Sequence, residues 1–291
     1  MKELHLERKP IDLKEYKLRT AMMSDVSRLI KEDTLIYCDG VPIILYKNLD
    51  IDTSAIRWAV KNIPYNKNMR TGGIKTQSTV FGYKPRIALR ANFCSTAGLA
   101  HTHPKHHHVI TDFSKQLMKY YEEYFPNIFE MHKKEVQEKI LDEWTIGGTP
   151  FTSGIVNKNN QLKYHFDSGN FQGVLSNMIV MKKGTSGGHL IIPEFDIALD
   201  VSDKSLTIFN GQDILHGVSP IEYDSETGYR YSIVYYSLQQ FWKCETITDE
   251  IARARTEKTK KEKLRIDPEH RAELEKLLVI EKEKKKRKDK L

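Results

Sequence analysis

Between Trp144 and Ser237 the chain is a succession of short apolar runs separated by turn residues. This pattern restricts the fold more than any other feature of the sequence. The runs are FTSGIVN, LKYHFD, VLSNMIVM, HLIIP, IALDV, SLTIF and YSIVYYS, with KKGTSGG, SDK and NGQD among the separators. Runs of this length and turn chemistry are typical of the strands of a barrel or sandwich. Helical patterns do not alternate with them, so a parallel sheet of βαβ units is not expected.

Three polar side chains within this region are able to meet at one metal ion. His165 and Asp167 are two residues apart in a predicted strand, so both side chains point to the same face. His216 follows after several more short runs. Two imidazoles and one carboxylate form the facial triad that binds non-haem Fe(II) and leaves coordination positions open. Each residue alone has an ordinary structural explanation, but the conjunction of the three favours iron.

Arg230 lies on the last of the apolar runs, where Ser232, Val234 and Tyr236 share its strand face. A planar guanidinium binds a carboxylate through two parallel hydrogen bonds. A facial triad followed by such an arginine is the residue set that a 2-oxoglutarate-dependent dioxygenase requires. The predicted fold class is therefore α+β with a mainly β core, a double-stranded β-helix (jelly-roll, cupin-like) flanked by helices.

The chain divides into three predicted segments. Residues 1–65 form an N-terminal helix and hairpin segment that packs on the core. Residues 66–245 form a dioxygenase domain whose β-helix core spans about 144–242. Residues 246–291 form a charged, helical, basic tail.

Several local signals support this division. Asp39-Gly40 marks the hairpin turn, and 20–31 and 54–63 are predicted helices. Asp112 is the predicted N-cap of a long helix before the core, and Asp267-Pro268 is a predicted helix start in the tail.

The basic balance of the chain favours an acidic partner such as nucleic acid. The net charge of the 291 residues is +7 and the isoelectric point is about 9.0. Much of the excess lies in the tail, where Lys284–Lys288 either contact phosphates or are simply solvated. Arg70 and Arg86 have two comparable interpretations, contact with a co-substrate or phosphate and solvated loop charge.

The tract HTHPKHHHV contains five histidines, His101, His103, His106, His107 and His108. A histidine-rich tract is able to bind metal, and Pro104 would turn the chain so that several imidazoles converge. The tract has no cysteine or carboxylate at ligand spacing, so a polar loop is the alternative.

The cysteines and the absence of apolar segments bear on location. Cys38, Cys94 and Cys244 are few, odd in number and widely spaced, which indicates a reducing compartment and no disulfide framework. MKELHLERKP has no apolar signal region, and no apolar run approaches membrane-spanning length. We expect an intracellular protein, cytoplasmic or nuclear, with no membrane partner and no evident obligate protein partner.

Residues from about 144 to 242 resemble the catalytic core of the TET/JBP family, the dioxygenases that oxidise the methyl group of 5-methylcytosine or thymine in DNA. FTSGIVNKNNQLKYHFDSGNF, SGGHLIIPEFDIALDV and GQDILHGVSP carry the resemblance, and STVFGYKPR resembles the family more loosely. The resemblance implies Fe(II), 2-oxoglutarate and O2 as reactants and DNA as the partner. It also implies that His165, Asp167 and His216 are iron ligands, and that Arg230, helped by Ser232, binds the distal carboxylate of 2-oxoglutarate.

Two further residues are implied to contact the base. Asn170 completes an HxDxxN pattern and would hydrogen-bond the target base, while Tyr236 would stack on it. TET-like enzymes commonly have a histidine eight residues after the arginine, and Leu238 stands there in this chain. This departure leaves both pyrimidines open as the target, with 5-methylcytosine slightly ahead of thymine.

The implied reaction is hydroxylation of a 5-methyl group through a ferryl intermediate, on a base flipped out of the duplex. A second interpretation is a 2-oxoglutarate-dependent hydroxylase of a protein, an amino acid or another small molecule, in which Asn170 and Tyr236 only pack. A third is a catalytically silent β-helix binding module that acts through its basic tail. The intact triad together with Arg230 argues against the third.

Overall fold

The structure is a computed structural model that describes residues 1–16, 19–69, 75–87, 91–266, 272–273, 275–277 and 279–280. Two compact units are present: Met1–Tyr83 with Thr96–Gln239, and Lys84–Ser95 with Gln240–Leu291. The division into segments 1–65, 66–245 and 246–291 that the sequence suggests stays a prediction.

The described residues contain sixteen β-strands and six α-helices. The strands are β1 (Lys2–His5), β2 (Arg28–Ile30), β3 (Thr34–Cys38), β4 (Val41–Asn48), β5 (Asn66–Met69), β6 (Lys75–Lys84), β7 (Ser95–Thr96), β8 (Ser153–Lys158), β9 (Ser176–Lys183), β10 (Thr185–Gly187), β11 (Leu190–Ile192), β12 (Ile197–Leu199), β13 (Ser205–Phe209), β14 (Gly217–Val218), β15 (Ile221–Tyr223) and β16 (Tyr229–Tyr236). The helices are α1 (Leu13–Tyr16), α2 (Ser54–Lys61), α3 (Gly98–Thr102), α4 (Pro104–Tyr124), α5 (Pro126–Lys139) and α6 (Ile247–Ile266).

Two sheets pack face to face in the first unit. The larger sheet has the strand order β1-β3-β4-β13-β9-β16-β8-β6-β5, and the smaller has the order β14-β11-β12-β2. Tyr46 and Val180 of the larger sheet share one buried apolar cluster with Leu190 and Leu199 of the smaller. Two facing sheets of short, mostly antiparallel strands form the predicted jelly-roll core.

Helices cover the opposite face of the larger sheet. Leu117 and Tyr121 of α4 lie in a buried cluster with Ile233 and Tyr235 of β16. Because side chains alternate along a strand, Arg230, Ser232, Val234 and Tyr236 of β16 point to the space between the sheets. The flanking helices predicted from the sequence are therefore present, and they leave the inner face of β16 for a site.

The N-terminal segment is partly as predicted. Asp39 and Gly40 have φ angles of 51° and 75°, which a tight two-residue hairpin turn between β3 and β4 requires. The helix predicted at 54–63 is α2. The helix predicted at 20–31 is wrong, since this stretch contains one turn of 3₁₀ helix and β2, which pairs in parallel with β12. Pairing with a distant strand outweighs the weak local helix pattern.

The histidine tract starts helices and is not a polar loop. α4 begins at Pro104, where the missing N–H of proline costs nothing, and the predicted cap Asp112 lies inside that helix. The Nε2 atom of His107 accepts a hydrogen bond from the Gly82 N–H at 3.0 Å. His106 stacks on Trp58 with ring centroids 4.1 Å apart. These imidazoles fix the start of α4 to neighbouring segments.

A disulfide and a buried carboxylate organise the second unit. Cys94 and Cys244 form a disulfide with Cα atoms 5.9 Å apart, so the prediction of no disulfide is wrong. The Glu250 carboxylate accepts hydrogen bonds from the Cys94 N–H at 2.7 Å and the Glu245 N–H at 3.0 Å. It also accepts from Arg86 Nε at 3.0 Å. Arg86 is therefore engaged in structure and does not serve as a free phosphate contact.

The charged tail is described only in part. α6 confirms a charged helix after residue 246. Arg70, Asp267-Pro268 and Lys284–Lys288 lie outside the described residues, so the predictions for them stay predictions. Among the helices of the described ranges, none is both long and apolar enough to cross a membrane.

Gly154 of β8 lies directly against the fully buried ring of Phe81 in β6. A β-carbon at Gly154 would be less than 3.0 Å from three carbons of that ring. Gly154→Ala should therefore lower the free energy of unfolding by about 1–3 kcal/mol, the usual cost of overpacking a core. Chemical denaturation measures the change, with Gly98→Ala as the matched control, because nothing lies within 4 Å of the methyl group added there. Equal stability of the two variants would contradict this packing.

Candidate active site

His165 and His216 are paired through their backbones. The His165 N–H donates to the His216 carbonyl at 2.9 Å, and the His216 N–H donates to the His165 carbonyl at 3.1 Å. This isolated antiparallel bridge brings the imidazole centroids to 4.4 Å from each other. The segment around His165 is thus extended but not the regular strand predicted, and a single bridge replaces a longer ladder.

Asp167 completes a cluster of three possible metal ligands. Its Oδ1 atom is 3.7 Å from Nε2 of His165 and 4.0 Å from Nε2 of His216. The ligand atoms all lie within 4.8 Å of one another. Ligand atoms each about 2.1 Å from one ion are separated by about 3–4 Å, so the cluster has nearly the size of a coordination sphere. Within the described ranges no other group of three such residues occurs, and the histidine tract forms none.

Both imidazoles are held in the tautomer that metal binding needs. His165 Nδ1 is 2.8 Å from the Lys163 carbonyl oxygen, and His216 Nδ1 is 2.9 Å from the Ile214 carbonyl oxygen. A carbonyl only accepts, so each Nδ1 carries the proton and each Nε2 presents a lone pair toward Asp167. Such outer hydrogen bonds orient the rings and increase their basicity as ligands.

Gly211 makes room for the carboxylate of the cluster. Its carbonyl accepts a hydrogen bond from the Asp167 N–H at 2.8 Å. A β-carbon at Gly211 would overlap Oδ2 of Asp167 and lie 3.2 Å from Cε1 of His216. In the sequence Gly211 is only part of the predicted turn NGQD, and its one signal is its position in the loop before His216.

The cluster opens into a cavity of about 310 Å³ between the two sheets. Every residue predicted for the site lines this cavity, namely His165, Asp167, Asn170, His216, Arg230, Ser232 and Tyr236. Alternation along β16 accounts for the last three, which share the inward face of the strand. Met178, Leu190, Phe209 and Val218 form an apolar part of the wall.

Arg230 is a buried cation that has no anionic partner among the described residues. It is 1% exposed, and its Nε and Nη2 atoms have no hydrogen-bond partner in the part of the chain that the structure describes. Burial lowers the pKa of this guanidinium to about 10, which still leaves it charged at neutral pH. A buried charge without a partner is costly, and a carboxylate entering the cavity would satisfy both nitrogens. The residues therefore fit a dicarboxylic co-substrate such as 2-oxoglutarate, beside a cluster that fits Fe(II).

A buried amide network supports the wall beside Arg230. Ser232 Oγ accepts a hydrogen bond from Asn157 Nδ2 at 3.4 Å, so the Ser232 proton is available for a ligand. Asn157 Oδ1 in turn accepts from Ser78 Oγ at 2.8 Å and from Asn160 Nδ2 at 3.0 Å. Asn157 and Asn160 both line the cavity. The sequence did not predict these two residues, because no motif marks a network that joins separate strands.

The residues predicted to contact a base face the same cavity. Asn170 is buried and donates from Nδ2 to Ser176 Oγ at 3.2 Å. Its backbone forms an isolated bridge with Leu238, the position that departs from the family pattern. Tyr236 is half-buried at the end of β16. Leu238 also lines the cavity, so the departure belongs to the site itself.

Comparison with known proteins gives a family match and a shared fold. The family model Tet_JBP, described as the oxygenase domain of the 2OGFeDO superfamily, matches residues 90–239. A structure of NgTET1 in complex with 5mC DNA aligns with a TM-score of 0.55 at 12% sequence identity, covering 79% of this chain and 90% of that chain. Identity at this level shows the fold alone, and it confirms the predicted fold class. Comparison with curated protein sequences finds no match.

Arg230→Lys should keep the charge but lose the planar fork that holds a carboxylate by two hydrogen bonds. The dissociation constant for 2-oxoglutarate should rise about 10- to 100-fold, since hydrogen bonds to charged groups contribute about 1.5–3 kcal/mol. Isothermal titration with anaerobic, metal-loaded protein measures it. Arg57→Lys is the matched control, because Arg57 pairs with Asp203 and does not line the cavity. An unchanged affinity in Arg230→Lys would remove Arg230 from this role.

Gly211→Ala should weaken Fe(II) binding without unfolding the protein, because the new methyl group displaces the Asp167 carboxylate. A loss of about 10- to 100-fold is expected, as for other changes in the residues that support metal ligands. Anaerobic metal titration gives the affinity, and a thermal melt reports the fold. Gly147→Ala serves as control, since its added methyl group meets nothing within 4 Å. Equal metal affinities would show that the carboxylate moves freely.

Proposed function

This chain belongs to the Tet_JBP family of 2-oxoglutarate- and Fe(II)-dependent dioxygenases, and from that premise we propose that it hydroxylates the 5-methyl group of a pyrimidine base in DNA. The observation that carries the proposal is one cavity lined by the His165–Asp167–His216 cluster, by Arg230 and by Tyr236. Two guanidinium nitrogens of Arg230, Nε and Nη2, have no hydrogen-bond partner among the described residues. A nucleic-acid substrate is supported by the structural neighbour, which was solved in complex with 5mC DNA.

The proposed division of labour follows from the residues of the cavity. Iron and 2-oxoglutarate, when bound, would activate O2, so that one oxygen atom converts a methyl C–H bond to C–OH and the other enters succinate as 2-oxoglutarate loses carbon dioxide. His165, His216 and Asp167 hold the metal, and the Nδ1 hydrogen bonds keep both rings aimed at it. Arg230 and Ser232 orient the far carboxylate of the co-substrate.

The apolar wall keeps the reacting methyl group away from bulk water. Met178, Leu190 and Val218 lie on the part of the cavity that the two sheets enclose. A methyl group gains by leaving water for such a wall, whereas the charged ends of the co-substrate are served by Arg230 and the metal. This separation of apolar and charged surfaces suits a substrate whose reacting group is an alkyl carbon.

A base within a duplex does not reach an enclosed cavity, so the target nucleotide has to leave the helix. Tyr236 offers a flat face for the extruded ring, and Asn170 offers a directional hydrogen bond. A carboxamide has both an acceptor and donors, so it is able to serve the edge of cytosine or that of thymine. Leu238 adds only apolar surface beside it. We therefore propose both 5-methylcytosine and thymine as substrates of this site, with 5-methylcytosine slightly favoured.

The direct test is incubation with Fe(II), 2-oxoglutarate, O2 and duplex DNA that carries 5-methylcytosine or only thymine. Mass spectrometry of the nucleosides should detect 5-hydroxymethylcytosine or 5-hydroxymethyluracil. His165→Ala protein should form neither, because two ligands do not hold the facial site. Succinate release stimulated by a protein or an amino acid, and by no DNA, would support the alternative hydroxylase in place of this proposal.

Tyr236→Ala and Asn170→Ala should lower oxidised-base formation while retaining 2-oxoglutarate turnover that is uncoupled from the base. Loss of stacking on Tyr236 costs about 1–3 kcal/mol. Loss of the Asn170 hydrogen bond costs about 0.5–1.5 kcal/mol. Parallel assays of succinate and modified nucleoside give the ratio of the two products. Tyr223→Ala, which removes an exposed tyrosine outside the cavity, is the control. Normal coupling in both variants would place the base elsewhere.

A further inference from the structure

Phe166 is an exposed aromatic side chain at the edge of the iron cavity. It lies between the ligands His165 and Asp167 in the sequence, and 38% of its surface is exposed. Alternation directs the two ligands to the metal and places Phe166 outside them. Its ring still lines the cavity, so it stands at the mouth of the site. The proposed hydroxylation gives the Phe166 ring no role.

A second groove begins where the cavity ends. Phe166 lines this groove as well, together with Arg8, Lys9, Leu13 and Gln212. A linear polymer with one unit in the iron cavity and the next in the groove would cross the ring of Phe166. The shared side chain therefore separates two adjacent positions along one ligand.

The groove carries cationic side chains that remain accessible. Arg8 pairs with Glu194 at 2.8 Å and Lys9 pairs with Asp196 at 2.9 Å. Their side chains nevertheless stay 46% and 60% exposed. Arg8 Nη2 also donates to the Asp213 carbonyl oxygen, and Glu194 and Asp213 line the same groove. A guanidinium has five N–H donors and an ammonium three, so donors remain for a phosphate. An exposed aromatic ring beside accessible cations is the combination that binds single-stranded nucleic acid.

We propose that Phe166 stacks on the nucleobase next to the one held in the iron cavity, and that the groove of Arg8 and Lys9 receives the backbone of the same strand. This inference rests on the proposed function. It adds a contact between the protein and the nucleotide that is next to the flipped one on the same strand. Every base has a π face, so the contact tolerates any neighbouring base.

The test uses an oligonucleotide with 2-aminopurine, whose fluorescence falls on stacking, beside 5-methylcytosine. Full-length protein loaded with Mn(II) and 2-oxoglutarate should quench this probe. Phe166→Ala should bind the oligonucleotide about 5- to 150-fold more weakly and quench less. Phe166→Trp should stay within about threefold of the unchanged protein, since it keeps a flat ring. Phe166→Leu, apolar without a flat ring, should resemble alanine, and Tyr223→Ala is the control.

A second measurement separates this contact from the reaction. Turnover is compared on 5-methyl-dCMP and on a trinucleotide with the same central base, and the loss in Phe166→Ala should be larger on the trinucleotide. Binding and quenching that depend on Phe166 without any oxidised product would refute the proposed reaction and leave the contact in place. Equal binding by all variants, equal losses on both substrates, or no DNA binding by the unchanged protein would overturn the contact. If the protein oxidises DNA but the Phe166 variants bind and react like the unchanged protein, the stacking contact is refuted and the proposed reaction is retained.

Discussion

The site depends on two backbone hydrogen bonds that join His165 to His216. They bring together two segments that are far apart in the sequence, and the rest of the metal cluster follows from this closure. Each imidazole donates to a carbonyl two residues before it, Lys163 or Ile214, so the backbone of its own segment sets its tautomer. A further backbone hydrogen bond, from the Asp167 N–H to the Gly211 carbonyl, holds the loop before His216 against Asp167. Main-chain carbonyl groups thus orient both imidazoles.

The burial of the charged Arg230 beside this metal cluster is energetically unfavourable. A buried guanidinium with two unpartnered nitrogens destabilises the folded chain until an anion arrives. Any ligand that binds only the folded state stabilises it in proportion to the logarithm of its concentration. In the proposed function, co-substrate binding and folding stability are therefore linked through the side chain of Arg230. The amide network of Asn157 and Asn160 holds the neighbouring wall in place, so the cost is not relieved by a local collapse of the cavity.

Local periodicity explains what the sequence predicted. The shared face of Arg230, Ser232 and Tyr236, and that of His165 and Asp167, follow from alternation over a few residues, and the structure places all five on one cavity. The distal histidine, His216, was predicted from the motif GQDILHGVSP. Features that join remote segments gave no such signal. They include the disulfide of Cys94 and Cys244, the parallel pairing of β2 with β12, and the amide network around Asn157.

The placement of the first two strands has a consequence for the integrity of the whole first unit. β1 lies at one end of the larger sheet and β2 at one end of the smaller, so a single short segment occupies an edge of both. Strand edges expose unpaired N–H and C=O groups that recruit strands of other molecules. Proteolytic removal of residues 1–30 would expose the edges of both β3 and β12. The shortened chain would then be prone to self-association through two surfaces, and it would also lose the bridge between Thr20 and Lys163 that lies beside His165.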